Sequence, residues 1–402
     1  MEPFKPDPRQ GIAALQKVKN LDSGRVVLGA SSLESLEKKD LYYEIGTEFS
    51  KQGYDVVVVG YRELFNSVGI TNVYWNMLKH FKAIARVVEG SNQQDESGPA
   101  ESPGSLRSNR VLNLQKILGL IRPDRFVVKR KLEKILFAAK PNLFLTQWYL
   151  PEAAVACKNL GVTTALWCMD DPMIFDKEWF QGKWLNYSSL FDYVFTSSKG
   201  AVRVYRDAGI KNVEWLPLYA DTDVVKPVHI QKKLFDFTFV GTNFSDRAAA
   251  HRRILEPLIE KYGRRVHLFG ARWQESKFSK FATIHPPVPR TELGKVFSQS
   301  KVCVNLHREV AHKYAPSFNF RTFEIPAART AQLMEYILGL NELFELNAEV
   351  VAVSDREELM ECAAWLLEDT QFREQISTNG YRRVISQHTV GHRVKKIINI
   401  TA

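Results

Sequence analysis

Apolar residues in this chain fall into short runs separated by longer stretches of mixed character. In the first half the runs are "RVVLGAS", "YDVVVVG", "PNLFLTQ", "VTTALWC", "DYVFTSS" and "NVEWLPL". Each has strand length and is bounded by Gly, Pro, Asn or Ser, which predicts a strand buried on both faces. Between them apolar positions recur every three or four residues, as in "LYYEIGTEFSK" and residues 152–160 and 179–190, the pattern of amphipathic helices. Six strands alternating with helices predict an open, mainly parallel sheet.

The pattern pauses around residues 220–233, and a second series begins with "FDFTFVGTNFSDRAAAHRRILEPLIEKYGRRVHLFG". Further strands are expected at 281–284, 302–306, 331–334 and 350–353, with mostly helical sequence from 355 onward. The chain therefore reads as α/β, with two doubly wound Rossmann-like domains at 1–220 and 221–385. A C-terminal helix, 386–402, is placed to return to the first domain. Length agrees, because 402 residues exceed what one core usually serves and two domains of roughly 200 are natural.

Composition narrows the class. Apolar residues make up 45% and charged residues 25% of the chain, values of a globular protein rather than a disordered or fibrous one. The N-terminal "MEPFKPDPRQ" has prolines and acids where a secretory signal has a basic start and an apolar stretch. No run approaches the 18 apolar residues of a membrane span. The expectation is a cytoplasmic protein, at most peripheral to a membrane. Cys157, Cys168, Cys303 and Cys362 lack metal-type spacing and are expected as reduced core residues.

The formal charge of +10 is concentrated in one segment. Residues 89–109, rich in Ser, Gly, Pro and acids, read as a mobile loop. Residues 110–140 then carry nine Lys or Arg against Asp124 and Glu133. That segment fits either a solvated helix face or peripheral contact with an anionic membrane. Nucleic acid is not expected, since only Phe126 and Phe137 interleave the basic residues and no reading motif accompanies them.

Ligands of open parallel sheets bind beyond the carboxyl ends of strands, often against helix starts that favour anions. Four places answer that description. After the strand "FTFV", Gly241 permits close backbone approach, Thr242 offers a hydroxyl and Arg247 stands in the first helical turn, a set suited to a diphosphate. After the strand ending at Leu306 come His307, Arg308, His312 and Lys313, then Ser317, Phe318, Asn319, Arg321 and Glu324. A carboxylate at Glu324, one turn into a helix, can accept two hydrogen bonds from a ribose diol. Asp170 and Asp171 follow "LWCM" and suit acid-base work, metal binding or turn capping with Pro172. The fourth place is the small-residue strand end at residues 29–32. Asp171 and His307 are the candidate catalytic residues.

Several segments in order, "LWCMDDP", "FDYVFTSSKGAVRVYRDAGIKNVEWLPLYAD", "FTFVGT", "VHLFGARW", "SKVCVNLH", "FNFRTFEIPAA" and "FREQISTNGYRRVISQHTVGHRV", resemble the CgeB-type branch of the group-1 glycosyltransferases. The resemblance covers roughly residues 141–398. It implies the GT-B fold, two Rossmann-like domains facing across a cleft, with a nucleotide-diphosphate sugar bound mainly by the second domain. The acceptor, a glycan or lipid-linked molecule, would meet the first. Glu324 would hold the donor ribose, while backbone amides near 317–320, with Arg321, Arg247 or Lys313, would neutralise the diphosphate without a metal or other cofactor.

Two positions depart from the family pattern. Pro316 stands where many related retaining enzymes carry a second glutamate, and Ala328 and Arg329 replace a frequent Cys-Gly pair, leaving Arg329 to face donor or solvent. The implied activity is a retaining, hexosyltransferase-like transfer in polysaccharide biosynthesis. A nucleotide-sugar epimerase or hydrolase, or a catalytically silent scaffold, would use the same fold.

Overall fold

The computed structural model describes residues 12–16, 24–30, 41–60, 123–147, 151–170, 184–309, 311 and 316–402. The helix expected at 73–88, the loop 89–109, the first part of the basic segment, residues 31 and 32, Asp171, His312 and Lys313 lie outside the described residues. The chain divides into two compact units, Met1–Thr164 and Ala165–Ala402.

In the first unit, strand β2 (Arg25–Ala30) lies between β3 (Asp55–Gly60) and β4 (Leu143–Thr146), parallel to both, with Val26 opposite Val56 and Leu143. The continuous apolar character of these runs follows from cover on both faces. On one of them the helix Leu41–Lys51 buries Tyr42, Ile45 and Phe49. On another the helix Pro123–Ala139 packs Val128, Leu132 and Leu136 with Ala153, Ala156 and Cys157 of the helix Pro151–Asn159. One strand, β1 (Ile12–Gln16), has no counterpart in the sequence pattern: it runs antiparallel along β3 and slips register between Ala14 and Gln16. "IAALQ" is composed of good helix formers, so here edge pairing overrides local propensity.

The second unit opens with parallel pairing of β5 (Thr163–Cys168), β6 (Tyr193–Thr196) and β7 (Val213–Trp215). A separate sheet of six strands follows: β8 (Phe235–Val240), β9 (Val266–Phe269), β10 (Thr283–His285), β11 (Ser300–Asn305), β12 (Ala331–Glu335) and β13 (Val351–Val353). Their order is β10-β9-β8-β11-β12-β13 and all pairs are parallel. The order reverses direction between β8 and β11, the topological switch point at which such sheets bind ligands. One face is covered by Ile254, Leu255 and Leu258 together with Leu359, Ala363 and Leu366 of the helix Arg356–Glu368. Gly380, in the helix Thr370–Gln387, lets that helix approach the backbone: a Cβ there would lie 2.4 Å from the Glu349 carbonyl oxygen. All four cysteines are free, three of them buried.

The last helix, Val390–Thr401, is tied down by a buried arginine. Arg393 donates to the carbonyls of Pro217 and Leu218, and its Nη2 donates to Nδ1 of His388 at 3.0 Å. His388 Nε2 in turn donates to the Leu343 carbonyl at 2.9 Å. With one nitrogen accepting and the other donating, the ring is neutral. Burial first, and the Arg393 charge second, hold His388 down to about 3. His251, packed against Trp273, is held down to about 4 by burial and by Arg247.

Both folded values lie below the unfolded value near 6.5. Below that pH the unfolded chain takes up protons that the folded chain refuses, so stability falls as pH drops from about 6.5 toward 4. The denaturant midpoint is therefore expected to decrease between pH 7 and pH 5, with a shallower slope in His388→Asn. A midpoint unchanged over that window would contradict the assignment.

Candidate functional site

The site assembles at the carboxyl ends of β8 and β11. Beyond β8 the chain turns through Gly241, Thr242 and Asn243 and is fastened to the turn after β9. The Gly241 amide donates to the Phe269 carbonyl at 2.9 Å and the Asn243 amide to Ala271 at 3.0 Å. The Trp273 indole donates to the Gly241 carbonyl at 2.7 Å. Gly270 adopts φ +147°, and a Cβ there would sit 2.1 Å from the Gly241 oxygen. The two turns interlock because neither carries a side chain at the crossing.

This turn positions Arg247. The helix expected near Asp246 begins as a 3₁₀ turn, Ser245–Arg247, passes through Ala248–Ala250, widens to a π turn at His251–Leu255 and continues as Glu256–Tyr262. Arg247 bends back over the turn, its Nη1 3.4 Å from the Thr242 carbonyl and its guanidinium over the Phe244 ring at 5.7 Å. Its Nε is buried without a partner, an unspent donor at the strand end.

Beyond β11 a buried polar network fixes the second half. Asn305 donates to Thr322 Oγ1 at 3.1 Å, and Asn319 donates to Asn305 Oδ1 at 3.0 Å and to the Leu306 carbonyl at 2.9 Å. The Asn319 side chain also accepts from the Thr322 amide at 3.1 Å, tying the loop to the first turn of the helix Arg321–Ala327. His307 is 2% exposed, with Nε2 3.2 Å from Thr322 Oγ1 and its ring edge-on to Phe318. Each member satisfies another, so the strand end and the helix start move as one body. The amides of Thr322, Phe323 and Glu324 are spent on Asn319 and Phe320. Anion-binding capacity from the helix's own first turn therefore falls to side chains.

Glu324 is 0% exposed, and its Oε1 is buried without a hydrogen-bond partner. Oε2 pairs with Arg321 and Oε1 lies 3.2 Å from Arg290 Nη2. Arg290 reaches in from the turn after β10 and lies over the Phe320 ring at 5.2 Å, and Phe320 packs edge-on against Tyr219. A carboxylate wholly withdrawn from water is stable only with such partners. Arg290 is a member that the sequence pattern does not reveal, because nothing in "PPVPRTEL" marks it and only tertiary folding brings it to Glu324.

The remaining charges converge. Burial pushes the Arg247 guanidinium below the ordinary arginine range, Asp246 draws it up, and the positive charges of Arg308 and Arg321 push it down further. Arg308 Nε donates to Asp246 Oδ2 at 2.5 Å. Crowding by protein raises the Asp170 carboxyl, at the end of β5, while the Arg308 charge lowers it. Asp170 keeps an exposed edge, so its link to the cluster rests on the Arg308 charge rather than on burial.

Arg247 thus feels the positive charges of both Arg308 and Arg321, and those two arginines pair with Asp246 and Glu324. Gly241, Thr242, Arg247, Asn319, Arg321 and Glu324 come together at this end of the sheet, and Arg308, Arg290, Asn305 and Thr322 join them. Ser317 forms an antiparallel bridge with Ser198, and Phe318 lies 2% exposed in an apolar cluster with Phe323 and Phe344. Arg329 faces solvent, its guanidinium on Thr378 Oγ1 at 3.1 Å.

A family model described as glycosyl transferase-like matches residues 247–399. No curated protein matches the chain. Among solved structures, a sucrose-phosphate synthase from Thermosynechococcus elongatus superposes with a TM-score of 0.59 at 11% identity, covering 94% of this chain and 98% of that one. HepE from Anabaena, in complex with UDP and glucose, gives 0.59 at 12% identity with the same coverage. A glycosyltransferase from Rickettsia africae gives 0.58 at 12% identity, also over 94% and 98%. The fold is therefore GT-B, built from two Rossmann-like domains.

Proposed function

We propose that this chain is a group-1, CgeB-like glycosyltransferase that moves a sugar from a nucleotide-diphosphate sugar to a glycan or lipid-linked acceptor. The carrying observation is the convergence of Arg247, Arg308 and Arg321 at the switch point of the second parallel sheet, beside the buried carboxylate of Glu324. Arg247, repelled by both Arg308 and Arg321, favours a multiply charged anion beside them. The glycosyl transferase-like match over this region and the UDP bound by HepE point to a nucleoside diphosphate as that anion.

In this reading the bond between the anomeric carbon and the β-phosphate oxygen breaks, negative charge gathers on the departing diphosphate, and the acceptor hydroxyl oxygen bonds to that carbon as its proton passes to the diphosphate. The guanidiniums stand at the strand ends before that charge develops and stabilise it as it gathers. They supply the stabilisation in a metal-independent transfer with retention. Glu324 accepts the donor ribose hydroxyls by exchanging them for one of its arginine partners, and the released guanidinium turns to the phosphates. His307, 3.2 Å from Thr322 Oγ1, and Asp171 are the candidate catalytic groups of this reading.

The test is release of nucleoside diphosphate from a panel of nucleotide sugars, with and without candidate glycan acceptors. Acceptor-dependent release supports transfer. Release or isomerisation of the donor that no acceptor accelerates would overturn it in favour of an epimerase or hydrolase.

A further inference from the structure

Among the described residues no helix is long and apolar enough to cross a membrane, yet one helix carries a surface suited to lying against one. The helix Pro123–Ala139 turns Val128, Leu132, Leu136 and Ala139 inward. Its opposite side exposes Arg130, Lys134 and Phe137, spaced by four and three residues and hence in one stripe. Phe137 is 70% exposed, the most exposed large apolar side chain among the described residues. Lys140 follows immediately, exposed and at φ +46°. Between residues 128 and 140 there are five basic residues and a single acid. That acid, Glu133, is already engaged by Lys129 at 3.6 Å and Asn159 at 3.3 Å, so the outward field is positive.

An aromatic ring held in water between lysines matches the two demands of an anionic bilayer surface. Apolar area enters the boundary between headgroups and acyl chains, and ammonium groups meet lipid phosphates. An acidic protein would answer the lysines and leave the ring unexplained. We infer that the outer stripe of the helix Pro123–Ala139, with Lys134 and Phe137 on it and Lys140 just beyond its end, docks on an anionic lipid bilayer. This surface is independent of the donor site and of the proposed reaction.

The experiment is co-sedimentation of the full chain with vesicles of phosphatidylcholine alone or mixed equally with phosphatidylglycerol. Binding is expected only to the mixed vesicles and to weaken with salt. Lys134→Glu with Lys140→Glu is expected to lower the partition by more than about tenfold, and Phe137→Ser by about tenfold. Circular dichroism checks that the variants keep the fold. No binding, equal binding to both vesicles, or wild-type partition in the double variant would each overturn the inference. Loss in the double variant with none in Phe137→Ser would overturn it too, assigning the stripe to an acidic polymer.

Discussion

Glu324→Ala is expected to abolish nucleotide binding and to destabilise the second unit. The carboxylate is fully buried and is the counter-charge of both Arg290 and Arg321. Removing it leaves two guanidiniums facing a desolvated wall. Loss of one partner from a fully buried pair costs about 3–5 kcal/mol. Here the arginine side chains retain 24% and 28% exposure, so solvent screens part of the loss and about 2 kcal/mol is expected. Glu324→Gln separates the two effects. It keeps the shape and one acceptor, so the fold should persist with binding about tenfold weaker. Chemical denaturation beside nucleotide titration reads both, and a Glu324→Ala protein that binds as wild type would remove this residue from the donor site.

Gly270→Ala is expected to be more damaging than any single side-chain loss around the site. The residue combines φ +147° with a position where Cβ would stand 2.1 Å from a backbone oxygen, that of Gly241. Neither problem can be relieved by rotating a side chain. The strain of the left-handed backbone and the enforced separation of two hydrogen-bonded turns together amount to about 3 kcal/mol or more. Because the Gly241 turn carries Arg247, a protein that still folded would bind an anion poorly. A Gly270→Ala variant with unchanged denaturation midpoint would show that the two turns do not interlock as described. Gly161→Ala is a useful contrast: it has φ +67° but nothing within 4 Å of its Cβ, so backbone strain alone is sampled.

The strands of the second unit were legible in the sequence because parallel strands covered on both faces appear as unbroken apolar runs, and "FTFV", "KVCVN" and "AQLME" all sit where β8, β11 and β12 form. The residues after those strands were legible for the same reason, since the switch point of an open sheet fixes where polar side chains matter. β1 escaped because its pairing partner lies some forty residues on and its own composition favours helix. The strand expected at 281–284 forms at Thr283–His285, where pairing with β9 is available.

What no pattern could show was which charges would meet. Arg290 stands far from Glu324 in sequence and reaches it through the turn after β10. Asp246 stands at the helix start its sequence predicts and is also the partner of Arg308. Asn305 and Thr322 look unremarkable in their runs, yet they carry the hydrogen bonds that join β11 to the helix bearing Arg321 and Glu324. Such partnerships depend on tertiary distances that local periodicity does not encode.

Donor binding requires the arginine cluster to be an anion site for a nucleoside diphosphate. The measurement that tests it most directly is calorimetric titration of UDP, and of the other nucleoside diphosphates in turn, into the wild-type protein and Arg308→Ala. Saturable binding of one nucleotide, weakened about 10- to 100-fold in the variant with the corresponding nucleoside hardly affected, is the predicted result. Equal affinity of both proteins for every nucleotide, or no binding by the wild type, would contradict it and leave a GT-B scaffold without a donor.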